Sequence, residues 1–167
     1  MALKLSLHIS LLFFLTTFII CGQSIQNENL DTNWSNWLIG EWEGWRETEN
    51  GKIKLKQSFK EILDKKYILT QMEAGEGKTQ YKGFGIFWYN ANNSAEGHWF
   101  GGYYDANTGK AKREGEKMIW NIDRFGSKIV RIRERLSEDE YIVNSIIMNE
   151  QGEITKTKEV MIRIKKN

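Results

Sequence analysis

Past the hydrophobic N-terminus the chain holds one histidine, His98, in the segment Glu96-Gly97-His98-Trp99-Phe100. An imidazole there reads either as an axial ligand to haem or as a polar contact in a ligand cavity. The plain alternative is a half-buried strand histidine bonded to a neighbour. The one cysteine, Cys21, lies beside the apolar N-terminus, so a metal would have to be a hard cation held by carboxylates alone, and no metal site is expected. A Ser-His-Asp triad would need His98, which no nucleophile elbow surrounds. Gln57, Glu134 and Asn144 fall among apolar residues and suit a solvated cavity. Gln57, His98 and Trp120 are the candidate ligand-binding residues. The acidic runs Glu41/Glu43, Glu47/Glu49 and Glu138-Asp139-Glu140 read as solvated surface. Gly75-Glu76-Gly77 and Gly101-Gly102 have no following helix and so do not read as phosphate cradles.

Aromatic side chains are abundant: seven tryptophans and six tyrosines. They suit a pocket for a flat or apolar molecule, and they equally suit a packed core. Trp42, in Leu38-Ile39-Gly40-Glu41-Trp42-Glu43-Gly44, reads as structural: an indole closing the floor of a small barrel, with glycines that let the backbone bend.

Positioning these groups takes strands. The alternation predicts strands near 41–48, 52–62, 67–73, 79–90, 96–104, 110–115, 117–123, 128–136, 140–149 and 154–165. Turn chemistry separates them, including Glu49-Asn50-Gly51, Glu73–Gly77, Asn90–Ala95 and Asp105–Gly109. Trp88–Asn92 and Tyr103–Asn107 end successive strands with the same kind of turn. No connection has room for a crossover helix, so neighbours pair antiparallel. Closing such a meander removes its two exposed edges. The expected fold is all-β: an antiparallel up-and-down barrel of about eight to ten strands, with a short helical turn at Asn33–Leu38 capped by Asn33 or Ser35. Trp34 and Trp37 share one side of that turn and plug one end.

Parity assigns faces. Ile53, Leu55, Gln57 and Phe59 are expected inside. Val130, Ile132, Glu134 and Leu136 are expected inside, with Arg131, Arg133 and Arg135 outside. On the last strand Val160, Ile162 and Ile164 are expected inside, opposite Met161, Arg163 and Lys165. Closure pairs the first strand with the last, which brings Arg163 to the rim that holds Trp42. A guanidinium there can lie over the indole and donate to plug carbonyls. Gly40, Trp42, Gly44 and Arg163 therefore form the structural motif of the closed end. The open mouth is bordered by turns 49–51, 73–77 or 105–109.

Residues 1–23 read as an export signal: Lys4, an apolar run over Leu5–Ile20, then Cys21-Gly22-Gln23. The alternatives are an uncleaved membrane anchor or a lipoprotein signal with lipid on Cys21, which would tether the domain to a membrane. Residues 24–35 form a flexible lead-in and 36–167 the barrel domain. Past residue 24 there are 23 basic and 22 acidic side chains, an excess too small to hold a phosphate backbone, so nucleic acid is not an expected partner. Without a disulfide, stability rests on the core.

These residues resemble the calycin superfamily of lipocalins, fatty-acid-binding proteins and haem-binding nitrobindins. More closely, the chain resembles the secreted lipocalin-like family known as domain of unknown function 1579. The resemblance rests on Leu38–Gly44, on Tyr67-Ile68-Leu69, on Gly83-Phe84-Gly85-Ile86-Phe87-Trp88-Tyr89-Asn90 and on Ile162-Arg163-Ile164, and spans about residues 36–165. It implies a lipocalin-like barrel, exported to the cell envelope or outside, that binds a small apolar or aromatic molecule. The nitrobindin pattern asks for a small residue where Trp45 stands and for a histidine on a late strand. This chain has neither, so haem through that route is not implied. Two other readings stand beside the binding protein: an isomerase or hydrolase using the same cavity with a Tyr, Asp or Glu acid/base, and a barrel simply filled with side chains.

Overall fold

A computed structural model describes residues 32–48, 51–77, 80–90, 92–102 and 105–165. The export segment, Cys21, most of the lead-in and the Tyr103-Tyr104 part of the repeated turn lie outside the described residues. Among the described residues one helix, α1 (Thr32–Leu38), precedes ten strands: β1 (Gly40–Thr48), β2 (Gly51–Ile62), β3 (Tyr67–Ala74), β4 (Tyr81–Asn90), β5 (Ser94–Gly101), β6 (Asp105–Glu114), β7 (Lys117–Arg124), β8 (Ser127–Arg135), β9 (Glu140–Met148) and β10 (Ile154–Arg163). Each strand pairs antiparallel with its sequence neighbours, and β1 pairs with β10 to close a barrel. The fold is lipocalin-like. The hairpins are tight where the sequence supplies residues that tolerate left-handed backbone: Asn92 and Asn93 have φ of 65° and 58° between β4 and β5.

Three local expectations are corrected. α1 starts at Thr32, so Asn33 and Ser35 lie inside the helix and do not cap it. Residues 105–109 are strand, not turn: β6 starts at Asp105 and pairs with β5 from there. Asp, Asn and Gly signal a turn locally, but pairing with β5 from Asp105, joined by β7 from Thr108, overrides that preference.

The third correction concerns faces. On β8 Arg131 and Arg133 face the interior, whereas Leu136 is exposed and Glu134 lies outside beside Lys117 at 3.5 Å. On β10 Glu159 and Met161 are buried, and Ile162 and Ile164 are exposed. Asn144 is exposed as well. Hydropathy misassigned these strands because part of the interior is a polar cavity, where a guanidinium inside meets a carboxylate and aromatic faces. The expected inner face of β2 does hold, with Leu55, Gln57 and Phe59 buried.

The closed end is built by α1 and the first turn of the barrel. Trp34, Trp37, Leu38, Trp42 and Tyr141 are buried together. The rings meet edge to face: Trp37 is 5.4 Å from Trp42, and Trp42 is 4.7 Å from Tyr141. The Trp42 Nε1 donates to the Leu38 carbonyl at 3.0 Å. Arg163 is the direct register partner of Trp42, and its guanidinium carbon sits 4.2 Å from the indole centroid. Its Nη1 donates to the Ile39 carbonyl at 2.8 Å, and its Nη2 donates to the Trp37 carbonyl. One side chain thus satisfies carbonyls at the C-terminal end of α1 that the helix cannot satisfy itself.

At Gly44 the backbone of β1 lies tight against that of β10. A Cβ there would collide with the Val160 carbonyl oxygen, a backbone atom that cannot step aside. Gly44→Ala is expected to cost about 2–3 kcal/mol, read as a lower urea midpoint with the slope unchanged. A loss below about 1 kcal/mol would mean that the two strands separate freely at that point.

Candidate functional site

Above the floor the barrel encloses a cavity of about 430 Å³. The interior is therefore not filled by side chains. Its two sides differ. One is aromatic: Phe59, Phe87 and Trp120 form an edge-to-face chain, with centroids 6.4 Å and 5.7 Å apart. Trp99 lines the same side, and its Nε1 donates to the Tyr81 hydroxyl at 2.8 Å.

The other side, from β8 through β9 and β10 to β1, is polar and basic. Glu159 is buried at 1 % exposure. Its Oε1 accepts from Arg46 Nη2 at 2.7 Å and from Arg46 Nε at 3.0 Å, and its Oε2 accepts from Arg131 Nη2 at 2.6 Å. Burial pushes the Glu159 pKa up, but the charges of Arg131 and Arg46, the Arg46 hydrogen bonds and the charge of Arg133 outweigh it and hold the carboxyl below its ordinary value. Arg133 stands one inward position below Arg131, with its guanidinium carbon 4.9 Å from the Phe59 ring and 5.3 Å from the Tyr141 ring. Burial lowers its pKa, and neighbouring Tyr141 partly offsets this.

Gln57 lines the cavity and is held at both ends. Its Nε2 donates to Thr70 Oγ1 at 3.1 Å, and its Oε1 accepts from the Tyr141 hydroxyl at 2.9 Å. Trp120 also lines the cavity. His98 also borders the cavity, between Gly97 and Trp99 on β5. Its neighbours Gly97 and Trp99 face in, so parity turns the imidazole outward, where it is exposed and 5.8 Å from the Trp88 ring. Among the described residues no group of three His, Cys, Asp or Glu side chains is placed to hold a metal.

Three buried groups packed behind the cavity lining have shifted acidities. Burial pushes Tyr89 and Tyr141 above the ordinary tyrosine range, with Arg133 opposing in both cases. Glu159 is shifted the other way. All three move away from neutrality, the opposite of what a general acid or base at neutral pH needs.

Arg46, Arg131, Arg133, Ser145 and Glu159 were missed by sequence reasoning. A signal for two of them was present. Once Trp42 and Arg163 are paired at the floor, the period of two places Arg46 and Glu159 on the same inner face, four residues along each strand.

The chain matches no protein-family model. It matches no curated protein sequence significantly. Solved structures match in fold. The S-type phycobiliprotein lyase CPES from Guillardia theta superposes with a TM-score of 0.61 at 12 % identity, over 87 % of this chain and 99 % of that one. Rv2717c from M. tuberculosis gives 0.60 at 10 % identity, over 82 % of this chain and 99 % of the other. These likenesses establish a shared lipocalin-like architecture.

Proposed function

We propose that this chain is an exported lipocalin-like binding protein that carries a small, mostly apolar or aromatic molecule inside its barrel, as a member of the domain of unknown function 1579 family. The single observation behind this reading is the cavity of about 430 Å³ between an aromatic side and a polar one, a combination that buries a flat apolar body and fixes its orientation with few polar groups. Export follows from the apolar segment over residues 5–20 and the polar residues after it. One barrel of similar fold is a phycobiliprotein lyase, so the architecture is compatible with catalysis.

The test is native mass spectrometry of protein purified from its own host. The expected spectrum shows a second series offset by one small organic mass, lost on activation. A bare protein that also fails to take up a neutral apolar fluorophore overturns the reading.

A further inference from the structure

We infer that the cavity takes an amphipathic carboxylate head group first, and that Arg133 with Ser145 holds that head group; this rests on the small-molecule reading above.

Four arginines line the cavity: Arg46, Arg131 and Arg133 on the polar side, with the carboxylate Glu159 buried against them, and Arg124 at the mouth end of β7. Glu159 is fully engaged, one oxygen on Arg46 and the other on Arg131. Arg133 has no ion-paired carboxylate among the described residues, although it is only 7 % exposed. Its Nε is buried without a hydrogen-bond partner. On the adjoining strand β9, Ser145 is 4 % exposed and its Oγ is likewise buried and unpartnered. Both residues line the cavity. In register Ser145 faces Arg131, and Arg133 faces Val143, so the serine stands diagonal to Arg133 on the same inner face.

A buried guanidinium N–H and a buried hydroxyl without hydrogen-bond partners are both costly. Their shared unmet need is for an acceptor. The rings of Phe59 and Tyr141 flank the Arg133 guanidinium, which fixes its plane and leaves its edge for a ligand. A planar carboxylate matches that edge with two parallel hydrogen bonds. Arg46 and Arg131, already joined to Glu159, are not free to match a more highly charged group.

Depth gives the orientation. Arg133 lies toward the floor, beside Tyr141 of the Trp42 cluster. Ile122, Ile129 and Ile147 also line the cavity, and they sit nearer the β7–β8 and β9–β10 hairpins at the opposite end. The apolar body therefore extends toward the mouth.

The experiment uses protein stripped of any retained ligand and loaded with the neutral fluorophore phenylnaphthylamine. Laurate, lauryl alcohol and lauryl phosphate, of equal chain length, then compete for it. Laurate is expected to displace the probe at a concentration about tenfold or more below that of the alcohol. Arg133→Met is expected to abolish that advantage while still binding the probe, and Ser145→Ala to shrink it a few-fold. Should Arg133→Met not fold, Ser145→Ala and the wild-type comparison still decide. Equal displacement by laurate and alcohol overturns the carboxylate assignment but leaves the binding reading standing. Stronger displacement by lauryl phosphate overturns the choice of carboxylate. A carboxylate advantage that persists in folded Arg133→Met overturns the role of Arg133. No uptake of probe or laurate overturns both readings.

Discussion

Trp42→Ala is expected to lower stability by about 3–5 kcal/mol, the largest loss from any single truncation at the closed end. The indole is fully buried. It touches Trp37 and Tyr141 edge to face, donates to the Leu38 carbonyl and lies under the Arg163 guanidinium. Alanine leaves a void that the rigid strands around it cannot close, and it strips the cation of its aromatic face. The Leu38 carbonyl loses its donor too. Urea unfolding followed by tryptophan fluorescence measures the effect, with the Trp37 indole as a local reporter. Ligand binding in the remaining folded fraction should change little, because the cavity lies above this floor. Unchanged stability with abolished binding would instead place Trp42 in the binding site.

Glu159→Gln is expected to cost a comparable amount, about 3–5 kcal/mol. The neutral amide would leave Arg46 and Arg131 facing each other, with Arg133 close by and no anion between them. Desolvation of unpaired buried charge produces the loss, so replacing all of Arg46, Arg131 and Glu159 by apolar residues of similar volume should restore most of it. The sign with pH follows from the direction of the Glu159 shift. Its folded pKa lies below the ordinary value of 4.5, so its stabilisation is fully present above about pH 4.5 and is lost as pH falls through the folded value. Wild-type protein should therefore lose stability on acidification over that range, and Glu159→Gln should lose less. Equal acid sensitivity in the two proteins would remove Glu159 from the account, as would a loss below about 1 kcal/mol at neutral pH.

Both experiments probe the same seam, where β1 meets β10, and that seam separates what was readable from what was not. The all-β meander, its closure and the pairing of Trp42 with Arg163 were legible in the sequence. Each follows from rules that act over a few residues or from the absence of room for anything else: period-two alternation, turn residues such as Asn92 and Asn93, connections too short for a helix, and the cost of an unpaired edge. The start of α1 and the extent of β6 were less so, because pairing with β5, and with β7 from Thr108, draws Asp105–Gly109 into the sheet against its local turn preference.

The chemistry of the interior was decided only by the tertiary structure. Arg131, Arg133 and Glu159 look like solvent-facing residues when each strand is taken alone, because a lone charge belongs in water. They are inside because β8, β10 and β1 bring opposite charges and aromatic faces together from positions far apart in the chain: one carboxylate is gripped by Arg46 and Arg131, and Arg133 lies against the Phe59 and Tyr141 rings. His98 borders the cavity beside Gly97 and Trp99 while its side chain is exposed. The sequence by itself determined which segments are strands and that they close; the tertiary structure decided which face of each polar strand lines the cavity, because that choice depends on partners across the barrel and not on the strand's own hydropathy.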